Sequence, residues 1–181
     1  MRLHLRDRLC PRPRILFVGI NPSLRSAAVG HHFAGPGNPF WRLLCAARLV
    51  PGPLTYEDDV RLPRWGLALT NIVPRPTRAA SELSREEWTR GRRRLARLIA
   101  SVEPEIVAFV GVTVYQAFFG ARAAGGAGRR PERIGRARVF VVPNPSGLNA
   151  AYPGFRDKLV WYRALRRFAG RHARPSRACS R

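Results

Sequence analysis

The sequence predicts an α/β domain of three layers, α/β/α, built around a mostly parallel four-stranded central sheet. The first observation behind this prediction is a set of four short apolar runs, rich in β-branched residues and separated by segments with helical periodicity. The second is that glycine or proline closely follows each run, as expected of buried strands in a parallel sheet. The runs span residues 14–20, 66–73, 105–111 and 138–142.

Helices are predicted between these runs. Asn38 and Pro39 should begin the first, because Asn accepts hydrogen bonds from free backbone amides and proline suits the first helical position. Ser84 and Glu87 form a capping-box pattern in front of a long helix. A last helix is predicted over residues 154–168, where apolar residues recur at helical spacing.

The domain is expected to span residues 14–170, because a chain of 181 residues is an ordinary size for a single hydrophobic core. A basic, proline-containing lead-in over residues 1–13 should be loosely held, and the basic tail over residues 171–181 should be disordered. Three stretches punctuated by glycine, proline or charged residues are predicted to be loops. These loops are residues 21–39, 51–64 and 121–133.

The chain is strongly basic, with 33 basic and 11 acidic residues and a formal net charge of +22. Such a charge attracts polyanions, and nucleic acid is the first candidate. A coding bias towards G and C is an alternative origin, because Lys158 is the sole lysine and arginine and alanine are abundant. Either origin leaves the electrostatic attraction to phosphate unchanged.

Composition also excludes several classes of protein. No apolar run reaches the roughly 18 residues of a membrane span, and the charged start does not resemble a signal peptide, so a cytoplasmic protein is expected. Cys10, Cys45 and Cys179 lack the paired spacing of metal sites. We expect no metal, no cofactor and no disulfide.

Three amide side chains follow predicted strands. Asn21, Asn71 and Asn144 come at the ends of the first, second and fourth runs, and two of them precede proline. Because ligands of parallel α/β sheets bind beyond the carboxyl ends of the strands, these three turns should converge on one site.

Asn21 has two possible roles. Asparagine is common in turns because its side chain bonds to its own backbone. Alternatively, its amide oxygen holds a water molecule, which would be positioning rather than general-base catalysis, since an amide cannot take a proton as a carboxylate does. The first turn also lacks the paired carboxylates of glycosidases, because no acidic residue lies between Arg14 and Leu54.

Other residues near these turns suggest contact with a nucleic-acid base. Phe33 could be a stacking platform or an ordinary core residue, and His31 and His32 could contact a ligand or face water. The acidic cluster over residues 57–59 is predicted to be a solvated loop. Leu148 lies among small polar residues, where an apolar side chain can act as a wedge between base pairs. Together with the charge, these features suggest an enzyme that flips a base out of duplex DNA.

Four segments in order resemble the mismatch-specific uracil-DNA glycosylase and thymine-DNA glycosylase family. The resemblance covers residues 14–168; the glycine-rich loop is closest to the thymine-removing branch, and the last turn to the bacterial uracil-removing branch. The segments are Gly19-Ile20-Asn21-Pro22, residues 30–41, residues 70–77, and Asn144-Pro145-Ser146-Gly147-Leu148.

The resemblance implies a uracil-DNA glycosylase-like fold and a site that needs neither metal nor cofactor. By position, Asn21 would hold the attacking water, and Ile20 and Phe33 would line the base pocket. Asn71 would face the pyrimidine edge, and Leu148 would fill the gap left by the flipped nucleotide. Further positions assigned to the substrate are Ser23, Ser26 and Asn38, and those assigned to DNA are Asn144, Ser146, Gly147 and Asn149.

Some positions depart from the family pattern. Ser23 replaces a usual glycine, and Asn149-Ala150 replaces the Ser-Arg that follows the wedge in the bacterial branch. Ser26 resembles the uracil branch, where the thymine branch has alanine, so the thymine methyl should fit poorly.

The predicted function is monofunctional removal of uracil from double-stranded DNA by a monomeric enzyme that favours mispairs with guanine, with thymine and damaged pyrimidines as further candidate substrates. The alternatives are a DNA-binding protein of the same fold without activity and a hydrolase of free nucleosides.

Overall fold

A five-stranded sheet forms the centre of the computed structural model, which describes residues 5–120, 125–146 and 150–170. The strand order is β2-β1-β3-β5-β4. Strands β2, β1, β3 and β5 run parallel, and β4 is antiparallel to β5 at one edge. The strands are β1 (Ile15–Gly19), β2 (Leu67–Asn71), β3 (Ile106–Val110), β4 (Gly128–Ile134) and β5 (Ala137–Val142).

The predicted number of strands is therefore wrong by one, because β4 lies largely in a stretch predicted to be a loop. Its residues alternate between more and less buried positions, as expected of an edge strand that covers the core with one face. Pro131 falls where the register with β5 shifts, between Arg130 and Arg133. A polar edge strand that carries proline at a bulge has no apolar run to reveal it.

Helices cover both faces of the sheet, and this confirms the three-layer prediction. Successive β1 residues point to opposite faces, so Ile15 and Phe17 pack into one core cluster while Leu16 and Val18 pack into the other. No helix in the described part of the chain is long and apolar enough to cross a membrane. The helices are α1 (Leu24–Val29), α2 (Phe40–Ala46), α3 (Arg85–Val102), α4 (Val112–Phe119) and α5 (Phe155–Phe168).

Helices α2 and α5 contribute to the first cluster, and α3 and α4 to the second. Ser84 and Glu87 form the predicted capping box at the start of α3. The Asn38 side chain accepts a hydrogen bond from the Phe40 amide at 3.0 Å, close to its predicted capping role, although the α-helix begins one residue later than expected.

Two of the predicted loops contain helices. Helix α1 lies in the segment after β1, where Ser23 accepts a hydrogen bond from the Ser26 amide and Gly30 ends the helix in a left-handed conformation. A 3-10 helix spans Tyr56–Trp65. A helix of six residues is too short to show apolar periodicity, which is why the sequence did not reveal α1.

The lead-in is not loosely held over its described part, residues 5–13. Leu5 and Cys10 are buried, and Arg8 and Leu69 exchange two backbone hydrogen bonds of 2.9 and 2.7 Å. This bridge to β2 orders a segment whose charged sequence gave no sign of it. The tail predicted to be disordered, residues 171–181, lies outside the described residues.

Candidate active-site pocket

A pocket of about 300 Å³ opens beyond the carboxyl ends of the parallel strands. Asn21, Asn71 and Asn144 all line it, which confirms that the three amide-bearing turns converge. The register of the sheet explains part of this arrangement, because Gly19 pairs directly with Asn71 across β1 and β2. Asn21, two residues after Gly19, therefore also lies at the pocket.

The structure brings most of the predicted site residues to this pocket. Of the positions assigned to the substrate or to DNA, Gly147, Leu148 and Asn149 lie outside the described residues. Leu5, Arg78 and Val110 also line the pocket, although no sequence motif pointed to them. The predicted residues in the lining are Ile20, Asn21, Ser23, Ser26, Phe33, Asn38, Asn71, Asn144 and Ser146.

The Asn21 amide is held in one orientation. Its nitrogen donates to the carbonyl oxygen of Arg75 at 2.9 Å and to Oγ1 of Thr77 at 2.7 Å. The Thr77 hydroxyl donates to the carbonyl of Ala79 at 2.8 Å, so its oxygen can accept from Asn21. Both amide hydrogens are thereby used, which leaves Oδ1 as the acceptor that Asn21 can offer to a ligand or a water molecule.

Ser23 and Ser26 are tied into the loop beside the pocket. The Ser23 hydroxyl caps α1 and donates to Ser26 Oγ at 3.1 Å. Ser26 is buried, and its Oγ also accepts a hydrogen bond from the Ala34 amide at 3.1 Å. Ser23 in place of glycine therefore supplies a helix cap next to Asn21.

Phe33 combines its two predicted roles in part, since it packs on the core and also lines the pocket. One face of its ring stacks on Phe40, with 3.9 Å between ring centroids and 19° between planes. Its backbone has a positive φ of 52°, an uncommon conformation for a residue other than glycine. Phe33 is half-buried, so part of its ring is available to a base.

The prediction of a solvated acidic loop is wrong for Asp59, whose side chain is fully buried. Its carboxylate accepts hydrogen bonds from Arg8 Nε at 2.8 Å, from His31 Nδ1 at 3.0 Å and from the backbone amide of His32 at 2.9 Å. Asp59 therefore joins the N-terminal segment to the pocket loop immediately before Phe33.

None of the described residues that line the pocket carries a carboxylate. Hydrolysis by a pair of carboxylates, as in most glycosidases, is therefore not available from the described lining residues.

His32 is in the lining and nearly fully buried, and burial lowers its pKa, so the ring is neutral near pH 7. Arg78 is then the described lining residue with a permanent charge. Among the described residues, no group of three or more histidine, cysteine or acidic side chains could hold a metal ion.

Comparison with known proteins assigns the chain to a family. The model of the uracil DNA glycosylase superfamily matches residues 7–166. The chain belongs to this superfamily. Its fold is also similar to the solution NMR structure of a protein from Methanosarcina acetivorans that is described as a candidate uracil DNA glycosylase. That similarity has a TM-score of 0.60 and 20% sequence identity, and it covers 91% of this chain and 98% of the other.

Membership of the superfamily supports a DNA glycosylase activity on uracil, with DNA as the partner. The sequence motifs predicted this superfamily, and they also predicted a narrower assignment to the mismatch-specific branch. The narrower assignment rests on the motifs alone.

Gly19→Ala should disrupt the pocket of this superfamily member more than its fold. A Cβ atom at Gly19 would lie 2.5 Å from Oδ1 of Asn71 and 3.7 Å from Cζ of Phe33, so the Asn71 amide must move. Because a displacement of about 1 Å in a catalytic site can cost about a hundredfold in rate, we expect a comparable loss in single-turnover uracil removal. Gly52→Ala, where the added atom meets nothing within 4 Å, is the matched control. Equal rates for the two variants would contradict this prediction.

His32 should make the protein less stable at acidic pH. Its pKa is lowered chiefly by burial, and the hydrogen bond from Nε2 to the Arg6 carbonyl at 3.0 Å opposes this only in part. As pH falls through the unfolded-state pKa of about 6.5, the unfolded chain binds a proton that the folded chain does not, and the free energy of unfolding decreases. Denaturant unfolding between pH 8 and pH 5 should show a smaller decrease for His32→Gln than for the wild type. The same decrease in both proteins would contradict the prediction.

Proposed function

We propose that the protein is a monofunctional DNA glycosylase that hydrolyses the N-glycosidic bond of uracil in double-stranded DNA, with a preference for uracil opposite guanine. The observation that carries the proposal is the fixed amide of Asn21 in a pocket whose described lining residues include no carboxylate. These residues can position a water molecule, but none of them is a strong base that could activate it. The reaction it suits is one in which the bond to the leaving group breaks before water attacks.

Cleavage of the uracil glycosidic bond meets this condition. As the bond breaks, the sugar becomes an oxocarbenium-like cation and the base departs as an anion, with the bonding electron pair on its ring nitrogen. A water held by Asn21 Oδ1 then adds to the sugar carbon, and its proton passes to the departed uracil anion, so the products are an abasic site and neutral uracil. The protein contributes the position of the water and exclusion of bulk solvent.

Recognition of the base would use the remaining lining residues. Phe33 stacks on the flipped base, Ile20 packs beside it, and the Asn71 side chain forms hydrogen bonds with the pyrimidine edge. Asn71 is buried at the end of β2, and its backbone carbonyl accepts a hydrogen bond from Arg94 at 3.0 Å, so its position is fixed. Hydrogen bonds aimed at the oxygen atoms of the base would stabilise its negative charge as it departs.

Two features support uracil in DNA rather than other substrates. The charge of +22 favours a polyanion over a free nucleoside. Ser26 is buried in the pocket lining, where alanine would leave more space, and this favours uracil over the bulkier thymine. Pairs with guanine are preferred because a mispaired base costs less to unstack, by up to a few kcal/mol. The turn that carries Asn144 and Ser146 would contact the strand left behind.

The test is direct. Excess protein is incubated with duplexes that contain a single G·U, G·T or A·U pair, and alkali then cleaves the strand wherever an abasic site has formed. The proposal predicts the fastest cleavage with G·U and the slowest with G·T. Binding to all three duplexes without cleavage of any would contradict it and would favour a DNA-binding protein without activity. Cleavage of free deoxyuridine at a rate similar to that of G·U would favour a nucleoside hydrolase instead.

A further inference from the structure

Arg78 is exposed at the pocket, and it is the permanently charged member of the described lining. Within the described part of the chain, its side chain has no hydrogen bond, ion pair or ring contact. A guanidinium carries five donors in a fixed planar arrangement, so a partner with several acceptor oxygens could be bound there.

Four other arginines near the pocket are engaged by the fold. Arg8 is paired with the buried Asp59, and Arg25 donates to the carbonyl of Ala34 at 2.8 Å. Arg75 forms two hydrogen bonds with Glu87, and Arg94 pairs with Asp7. Arg78 differs from these four arginines in that the described fold does not use its charge, and it is the arginine that lines the pocket.

The backbone on both sides of Arg78 is fixed. The Thr77 amide donates to the carbonyl of Pro22 at 3.1 Å, and the Ala79 amide donates to Glu82 at 2.9 Å. Thr77 is also the residue whose hydroxyl accepts from Asn21. The position of the Arg78 backbone is thus coupled to that of Asn21 through a single adjacent residue, whereas its long side chain remains free in solvent.

We propose that Arg78 binds a phosphate of the DNA strand that carries the target nucleotide, next to the point where this nucleotide leaves the duplex. The proposal rests on the proposed function, since it places a flipped nucleotide in the pocket. Rotation of a nucleotide out of the stack occurs about its own backbone, so the flanking phosphates come to lie at the pocket entrance. A guanidinium there can form two parallel hydrogen bonds with the phosphate oxygens and hold the nucleotide outside the duplex.

A second possible role, stabilisation of the departing base anion, is less consistent with the exposure of Arg78. A cation that acts on the base should be desolvated beneath or beside the ring, where electrostatic interactions are strong. Contacts with phosphate tolerate solvent exposure and depend on salt instead. The two roles therefore predict different kinetic effects.

Arg78→Gln should weaken DNA binding more than it lowers the rate of cleavage. Binding of a G·U duplex is measured by fluorescence anisotropy from about 50 to 300 mM salt, and single-turnover cleavage is measured over a range of protein concentrations. We expect about tenfold weaker binding at low salt and a slope of log affinity against log salt that is smaller by about 1, with a fall in the saturating rate that is smaller than the fall in affinity. Arg78→Lys, which keeps the charge, should restore the slope.

Arg136→Gln is the matched control, because it removes the same charge far from the pocket. Arg136 lies in the turn that precedes β5, at the amino-terminal end of this strand, whereas the pocket opens beyond the carboxyl ends of the parallel strands. It should leave binding and its salt slope close to those of the wild type. An equal effect of Arg136→Gln would overturn the proposal, because the effect would then reflect net charge alone. A lower saturating rate for Arg78→Gln with an unchanged slope would also overturn it, in favour of a contact with the base.

These outcomes are distinguishable from failure of the proposed function. If the wild type binds G·U duplex but forms no abasic site, the enzymatic proposal fails, and the salt slope still tests whether Arg78 contacts a phosphate. If Arg78→Gln changes the slope equally for fully paired duplex, the contact is not with a flipped nucleotide, and the present proposal is wrong.

Discussion

Asn21→Ala is expected to lower the single-turnover rate of uracil removal from a G·U duplex by at least about a hundredfold, with little change in affinity for DNA. The substitution removes the amide oxygen that would position the water, and no carboxylate among the described lining residues could replace it. The loss is one of positioning, so it should appear in the rate at saturating protein. Rate constants from quenched reactions at several protein concentrations separate this effect from weaker binding.

Thr77→Val tests the same mechanism through the residue whose hydroxyl holds the Asn21 amide. It removes the acceptor that holds the Asn21 amide at 2.7 Å while the Arg75 carbonyl remains. The amide should then rotate more freely, and we expect a smaller loss in rate of about tenfold. The double variant with Asn21→Ala should lose no more than Asn21→Ala alone, because both substitutions act on the position of the same water molecule. Thermal unfolding of both variants is the control, since each loses hydrogen bonds worth about 1 kcal/mol apiece. Wild-type rates for Asn21→Ala would contradict the mechanism even if the protein proves to be a glycosylase.

The sequence predicted the part of the site that lies at strand ends. Residues of β1 and β2 are buried on both faces, so their apolar runs are unambiguous, and the amides that follow them must reach the same edge of the sheet. A parallel sheet was therefore the only assumption needed to predict that Asn21 and Asn71 lie at the same site. The identity of the superfamily followed from the motifs around these same turns.

The parts that could not be predicted depend on contacts between distant segments. Asp59 is buried because Arg8 and the loop at His31 approach it, and these partners lie 51 and 28 residues away in the sequence. An acidic residue among other acidic residues is ordinarily solvated, so the local pattern indicated the opposite. Arg78 is one of many arginines in the sequence. Its place in the pocket lining, and the pairing of nearby arginines such as Arg8 and Arg75, are visible only in the structure.

Asp59→Asn is expected to destabilise the fold by about 3 kcal/mol, because it leaves the guanidinium of Arg8 without its buried counter-ion. The Asp59 carboxylate is fully buried and the Arg8 side chain is 15% exposed, so water can replace the lost interaction only partly. The side-chain amide introduced by Asp59→Asn can still accept one of these hydrogen bonds. Asp59→Ala should therefore lower the free energy of unfolding by more than Asp59→Asn does. Denaturant unfolding at pH 7 gives the difference in free energy.

Glu57→Gln is the matched control, since Glu57 lies in the same 3-10 helix and is exposed. It should change the free energy of unfolding by less than about 0.5 kcal/mol. If the two variants are equally stable, the Asp59 network does not contribute to the fold as we describe.

Asp59→Asn should also lower activity under conditions where the variant remains folded. Its carboxylate accepts from the His32 amide, one residue before Phe33, whose backbone has a positive φ. That conformation costs about 1 kcal/mol or more and persists only while the surrounding contacts impose it. Loss of the anchor should let Phe33 leave its stacked position on Phe40, so the concentration of protein needed for half-maximal cleavage should rise more than the saturating rate falls. An unchanged half-maximal concentration in a destabilised variant would show that the Asp59 network supports the fold independently of the pocket.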